Sequence, residues 1–176
     1  MDRPRNPFVI GPRIPRPYFC DRVEEQKLLT SAVINGRNVV LVSPRRMGKT
    51  ALAYAAIHDS EEIQQDFMII FFDILQTNSL SEFTYLFGKT IFNALASKSE
   101  SRLRGFLAAL KSLKGCFGFD PFDGTPTFDI QLGDIKRPEF TLEEIFGYIE
   151  ENGRPMIIII DEFQQITKYE DKNTEA

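Results

Sequence analysis

The sequence predicts an α/β protein built as a three-layer sandwich, with a mainly parallel sheet and an inserted β-hairpin. Three short apolar runs carry this reading: Asn38–Ser43 (NVVLVS), Phe67–Ile74 (FMIIFFDI) and Met156–Ile160 (MIIII). Their hydrophobicity is continuous rather than alternating, which points to strands covered on both faces, as in parallel sheets. Segments with helical apolar spacing separate the runs, and alternating β and α elements form layered α/β domains.

The elements follow in order. Residues 1–20 read as an extended lead-in, because Pro4, Pro7, Pro12, Pro15 and Pro17 each lack a backbone N–H and disfavour helix. Asp21 and Glu24 have the spacing of a capping box ahead of a helix over about 22–35, with Val23, Leu28, Leu29, Ala32 and Val33 as its apolar face. Gly36 stands where helices commonly place a terminating glycine. The run 38–43 is the first strand. After a Gly-containing loop, Ala51–His58 continues as helix, and 67–74 is the second strand. Ser79 and Glu82 cap a long helix to about 97, and another helical stretch covers about 101–113. Between Gly115 and Arg137 the composition turns to Gly, Pro, Phe and Asp, and the Asp123-Gly124 pair signals a hairpin turn. Thr141 and Glu144 predict a cap for a helix over about 142–151, and 156–160 is the third strand.

The totals narrow the function classes. The chain has 176 residues, 43% of them hydrophobic and 26% charged, as expected for one globular domain with a sizeable core. A net charge of −4 gives no overall basic excess for nucleic acid. Arg3, Arg5, Arg13, Arg16 and Arg22 do gather near the N-terminus, but among so many prolines they read as a solvated arm. Cys20 and Cys116 match no metal spacing and read as free thiols. With neither a signal-peptide core nor an apolar run long enough to span a bilayer, the expectation is a cytoplasmic protein without membrane partners.

The densest chemical signal is Ser43-Pro44-Arg45-Arg46-Met47-Gly48-Lys49-Thr50, continued by Ala51. It matches the phosphate-loop pattern G-x-x-x-x-G-K-[ST] at every fixed position but the first, where Ser43 replaces glycine. Successive backbone N–H groups of such a loop curl around phosphate oxygens. Gly48 admits close backbone approach, Lys49 reaches the β and γ phosphates, and the Thr50 hydroxyl is a hard oxygen ligand suited to Mg²⁺. The predicted strand before the motif and helix after it are the context that the chemistry requires.

The second constellation is Asp161-Glu162 at the carboxyl end of the third strand, the end at which ligands bind in open α/β sheets. Asp161 can hold Mg²⁺ directly or through water, and Glu162 can orient or deprotonate an attacking water. Gln164 and Gln165 read as a solvated helix start. His58, the only histidine, reads as a helix-end residue.

Together, SPRRMGKTAL, IIIIDEFQQI and the N-terminal PFVIG and FCDRVEE resemble the AAA+ P-loop ATPases. Within them the similarity is to the archaeal-type ATPase group, related to the STAND class of signalling NTPases. The resemblance covers nearly all of the chain and implies ATP and Mg²⁺ as ligands. It also implies an adenine pocket lined partly by Pro7, Phe8, Phe19, Asp21 and Arg22, so that residues 1–20 contribute to the nucleotide site and 21–176 form a partial ATPase domain. The family's fourth strand, which carries a sensor residue between the first and third strands, is not found in these 176 residues. Nor are its arginine finger and helical lid. The chain therefore reads as the N-terminal part of such a domain, or else its first and third strands pair directly. The resemblance leaves room for a homo-oligomer or a partner protein engaged through later parts. Binding with very slow hydrolysis is expected of this chain alone. The other readings are a non-enzymatic interaction fragment using Phe117, Phe119, Phe122 and Phe128, and a small-molecule kinase, which the adjacent Asp-Glu disfavours.

Overall fold

The structure, a computed structural model, describes residues 14, 19, 21–113, 118–119, 121, 126–128, 130–151 and 154–169. The chain forms two compact units, residues 1–69 and 70–176.

The first unit opens with α1 (Val23–Ile34), whose bounds agree with the predicted helix. The predicted capping box does not form. Arg22 is the N-cap and no side chain caps the helix, while Asp21 takes φ 64°. The N-cap position thus falls one residue later than the box requires, on a side chain with no acceptor to offer the first-turn amides. The C-terminus does end as Gly36 suggests. With Gly36 at φ 67°, its N–H reaches Val33 O at 3.0 Å and the Arg37 N–H reaches Ala32 O at 2.9 Å, the paired bonds of a Schellman motif. Of the predicted apolar face only Leu29 is buried, and Val23 and Leu28 are exposed.

Residues 38–43 depart from expectation. They form no strand, and neither sheet includes them. Val40 is 78% exposed and Val42 89%. Strand propensity expresses cross-strand packing and ladder pairing, and a lone extended segment has neither. Direct pairing of this segment with the third predicted strand is likewise not observed.

Helix α2 (Lys49–Ala53) starts two residues before the predicted helix and runs into a π-turn at Tyr54–His58, closed by Asp59 N to Tyr54 O at 2.8 Å. Thr30 of α1 donates its hydroxyl to Ala56 O at 3.0 Å. Helix α3 (Glu61–Asp66) was not anticipated. Ser60 caps it, accepting from Ile63 N, and Ile63 is fully buried.

Two strands, β1 (Met68–Asp73) and β4 (Met156–Asp161), pair in parallel, and the second unit takes in β1 from Ile70 onward and all of β4. Coverage is one-sided, contrary to the expectation of two covered faces. Met68, Ile70 and Phe72 are buried while Ile69 and Phe71 are half-buried, and in β4 only Ile157 is buried. Helix α4 (Leu80–Ala96) begins as predicted, with Ser79 Oγ accepting from Glu82 N. The Glu82 carboxylate accepts from Asn78 N at 2.7 Å, one residue earlier than a standard capping box. Phe72 stacks on Phe87 of α4, with centroids 5.3 Å apart, and Phe87 meets Phe146 at 5.6 Å.

Helix α5 (Glu100–Ala109) continues into a 3-10 turn at Lys111–Leu113. The hairpin is present as β2 (Gly118–Phe119) against antiparallel β3 (Pro126–Thr127); its Asp123-Gly124 turn lies outside the described residues. Phe128 packs between Tyr85 and Phe92 of α4 instead of forming an open contact surface, while Phe117 and Phe122 lie outside the described residues. Helix α6 (Pro138–Glu151) starts four residues before the predicted one, with proline at its first position. Thr141 is therefore buried inside the helix and caps nothing. Its hydroxyl meets Ser112 Oγ at 3.0 Å, and Glu144 accepts from the Ser112 amide.

Candidate functional site

In the first unit the loop 43–48 turns into α2 through two left-handed residues, Arg46 at φ 64° and Gly48 at φ 72°. Gly48 is the N-cap, and its carbonyl accepts from Leu52 N at 2.9 Å. Nothing lies within 4 Å of the position a Cβ would occupy there, so backbone conformation, not crowding, selects glycine. Ser43 has no positive φ, so the backbone there makes no demand for glycine. The Lys49 ammonium donates to the carbonyls of Ser43, at 3.0 Å, and Pro44, at 3.3 Å. Thr50 follows in the first turn of α2, ahead of buried Ala51. Pro44, Arg45, Arg46 and Met47 are exposed.

Arg22 reaches the same loop, its Nη2 donating to Met47 O at 2.8 Å. In sequence Arg22 reads as part of a solvated arm and, by the family resemblance, as an adenine-side residue; neither reading links it to this loop. Asp21 is exposed and Phe19 half-buried, while Pro7 and Phe8 lie outside the described residues. An open apolar cavity of about 420 Å³ lies beside the loop, lined in part by Leu28, Leu29, Val39, Leu41, Ser43 and Lys49.

In the second unit β4 delivers Asp161 and Glu162. The Asp161 carbonyl accepts from Ile74 N at 3.2 Å, and its carboxylate accepts from the Glu162 amide at 2.9 Å. Glu162 takes φ 55°, an uncommon conformation for a residue with a side chain, and opens the 3-10 turn Phe163–Lys168. The Gln164 amide donates to the Glu162 carboxylate at 2.5 Å.

Gln165 is not solvated. It is 6% exposed and donates to Thr77 O at 3.0 Å. The Thr77 hydroxyl lies 2.6 Å from Ile74 O and 2.5 Å from the Tyr169 hydroxyl. A hydroxyl has one proton; with that of Thr77 directed to Ile74 O, Tyr169 is the donor in the second bond. Burial pushes the Tyr169 phenol above its ordinary value. The turn after Glu162 is thus tied to the loop that follows β1, a link between residues 88 and 92 positions apart that no local pattern could signal.

His58 lies at the end of the π-turn, with Nδ1 3.3 Å from the Asp59 carboxylate. Among the described residues, no group of three or more His, Cys, Asp or Glu side chains is clustered as a metal site, and no helix is long and apolar enough to cross a membrane.

A family model for an ATPase domain predominantly from Archaea matches residues 19–175. Neither the curated proteins nor the solved structures offer a significant match. The family match takes in both the loop at 43–51 and the acidic turn at 161–162, and the chain belongs to this family of archaeal-type ATPase domains.

Proposed function

We propose that the chain binds ATP with Mg²⁺ through residues 43–51, and that Glu162 serves hydrolysis. The single observation that carries this is the left-handed Gly48 at the start of α2, followed by Lys49 with its ammonium held over the loop's own carbonyls. An ammonium drawn to carbonyl oxygens is available to a stronger acceptor, and a phosphate oxygen is one. The loop amides then receive the phosphates.

The Thr50 hydroxyl is a hard oxygen that suits Mg²⁺, with phosphate oxygens and water to complete such a shell, and in the second unit the Asp161 carboxylate is an oxygen donor of the same kind. Bound Mg²⁺ would neutralise charge on the phosphates. The Glu162 carboxylate orients water or accepts its proton, and Gln164 holds that carboxylate through its amide. Arg45 and Arg46 stay in the exposed part of the loop, where their charge favours an anionic ligand. Phe8 and Asp21 belong to the adenine side of this reading. Turnover by residues 1–176 alone stays below about one per second, the range reached without an added arginine finger.

Thermal unfolding with and without Mg-ATP tests the reading, with Lys49→Ala as the control. Ligand at about 100 times its Kd adds roughly 2.7 kcal/mol to a folded protein that binds it. A melt raised by Mg-ATP in the wild type and indifferent to it in Lys49→Ala is the expected result. A cooperative melt that ignores ATP in both proteins overturns the reading.

A further inference from the structure

We propose that Arg22 is a positioning residue for the phosphate loop: by holding the Met47 carbonyl, its guanidinium aims the Gly48 amide into the loop's concave side. The inference rests on the reading of residues 43–51 as a phosphate site. It differs from the adenine-side role that the resemblance implies, because Arg22 here acts through the loop and not on the nucleotide.

The argument concerns one peptide unit. Turning over the plane between Met47 and Gly48 changes ψ of Met47 and φ of Gly48. Glycine accepts either sign of φ at little penalty, so residue 48 does not decide which way that plane faces. Arg46, the neighbour of Met47, is already left-handed at φ 64°, an uncommon state for a side-chain-bearing residue, so local preference does not fix the loop there either. A contact from outside decides it. Arg22 Nη2 donates to Met47 O at 2.8 Å, across 25 residues of sequence, within the range of a charge-assisted bond.

In a trans peptide the C=O and N–H point in opposite directions. Anchoring the Met47 oxygen on Arg22 therefore turns the Gly48 N–H away from the guanidinium. Arg22 is itself fixed, since it is the N-cap of α1 and its carbonyl accepts from Gln26 N at 3.0 Å. Lys49 cannot substitute, because its ammonium engages Ser43 O and Pro44 O at the other end of the loop. Preorganised amides bind an anion more tightly than amides that must first turn, since the ordering has already been done.

The test is titration of the full 176-residue chain with Mg-ATP and, separately, with magnesium tripolyphosphate, which has no base or sugar. Both titrations are run over a salt series for the wild type, Arg22→Ala and Arg22→Lys. Loss of the brace weakens both ligands by the same factor, about tenfold, the scale of one hydrogen bond to a charged group. The slope of log Kd against log salt stays unchanged, and Arg22→Lys, which can still donate to a carbonyl, recovers part of the loss. A loss confined to ATP makes Arg22 a base or sugar contact. A shallower salt slope makes it a direct phosphate contact. Either result overturns the inference, as does wild-type affinity in Arg22→Ala. If the wild type binds neither ligand, the phosphate-site reading falls and the inference with it. Melts without ligand show whether Arg22→Ala folds; if it does not, Arg22→Gln, a neutral donor of shorter reach, carries the same comparison.

Discussion

Replacing Gln165 with leucine isolates the tie between the acidic turn and the loop after β1. Leucine is close to glutamine in size but cannot donate. Thr77 is 5% exposed, so water has little access to the carbonyl that loses its partner. A buried acceptor left unpaired costs about 1–3 kcal/mol. Removing the amide of Gln165 from a buried site returns part of this, since the leucine needs no hydrogen bond. The net loss is then about 1–2 kcal/mol, which for a chain of this length lowers Tm by roughly 2–8 °C. Far-UV circular dichroism in thermal and urea unfolding measures it, with Gln164→Leu as control. Gln164 is exposed, and its loss changes stability by no more than about 0.5 kcal/mol. An unchanged or raised Tm in Gln165→Leu would refute the reasoning, because it would mean that the Thr77 carbonyl finds water or needs no partner.

Three further outcomes follow from other parts of the molecule. The phenols of Tyr148 and Tyr169 are pushed above their ordinary 10.0, chiefly by burial, so the unfolded chain loses these protons first. Their stabilisation is fully present below pH 10 and declines as pH rises through and beyond it; Tyr148→Phe flattens that alkaline decline in urea titrations while giving up its bond to Arg102 O at neutral pH. Gly48→Ala meets no steric obstacle, so its penalty is the left-handed backbone alone, roughly 1 kcal/mol in an unliganded melt. Amide hydrogen exchange is fast across residues 38–42, which lack ladder bonds, and slow across residues 70–72 of β1; comparable protection in the two segments would contradict the lone-segment description.

Much of the fold was legible because it is written locally. The strands at 68–73 and 156–161 announce themselves as unbroken apolar runs, and the left-handed glycine that ends α1 is where the sequence puts it. The turn from 43–48 into α2 is legible for the same reason, since the left-handed Gly48 and the helix after it are signalled by adjacent residues. The misreadings have separate physical causes. At α6 two start signals competed, and Pro138, which fits a first helical turn, prevailed over the Thr141 box. At 38–43 the composition was that of a strand, but whether a strand forms depends on a neighbour, which composition does not encode. Gln165 and Thr77 are unremarkable in sequence and meaningful only once a chain stretch that sets them 88 positions apart has folded.

The bare segment at 38–42 bears on how the protein behaves in a tube or a cell. Its peptide groups carry no ladder, and Val40 and Val42 stand open to water, so at high concentration such segments from different molecules can adhere side by side. Colloidal behaviour should then depend steeply on concentration while each molecule's own stability does not. A lysine at position 40 or 42 would separate the two by improving solubility and leaving the melt in place.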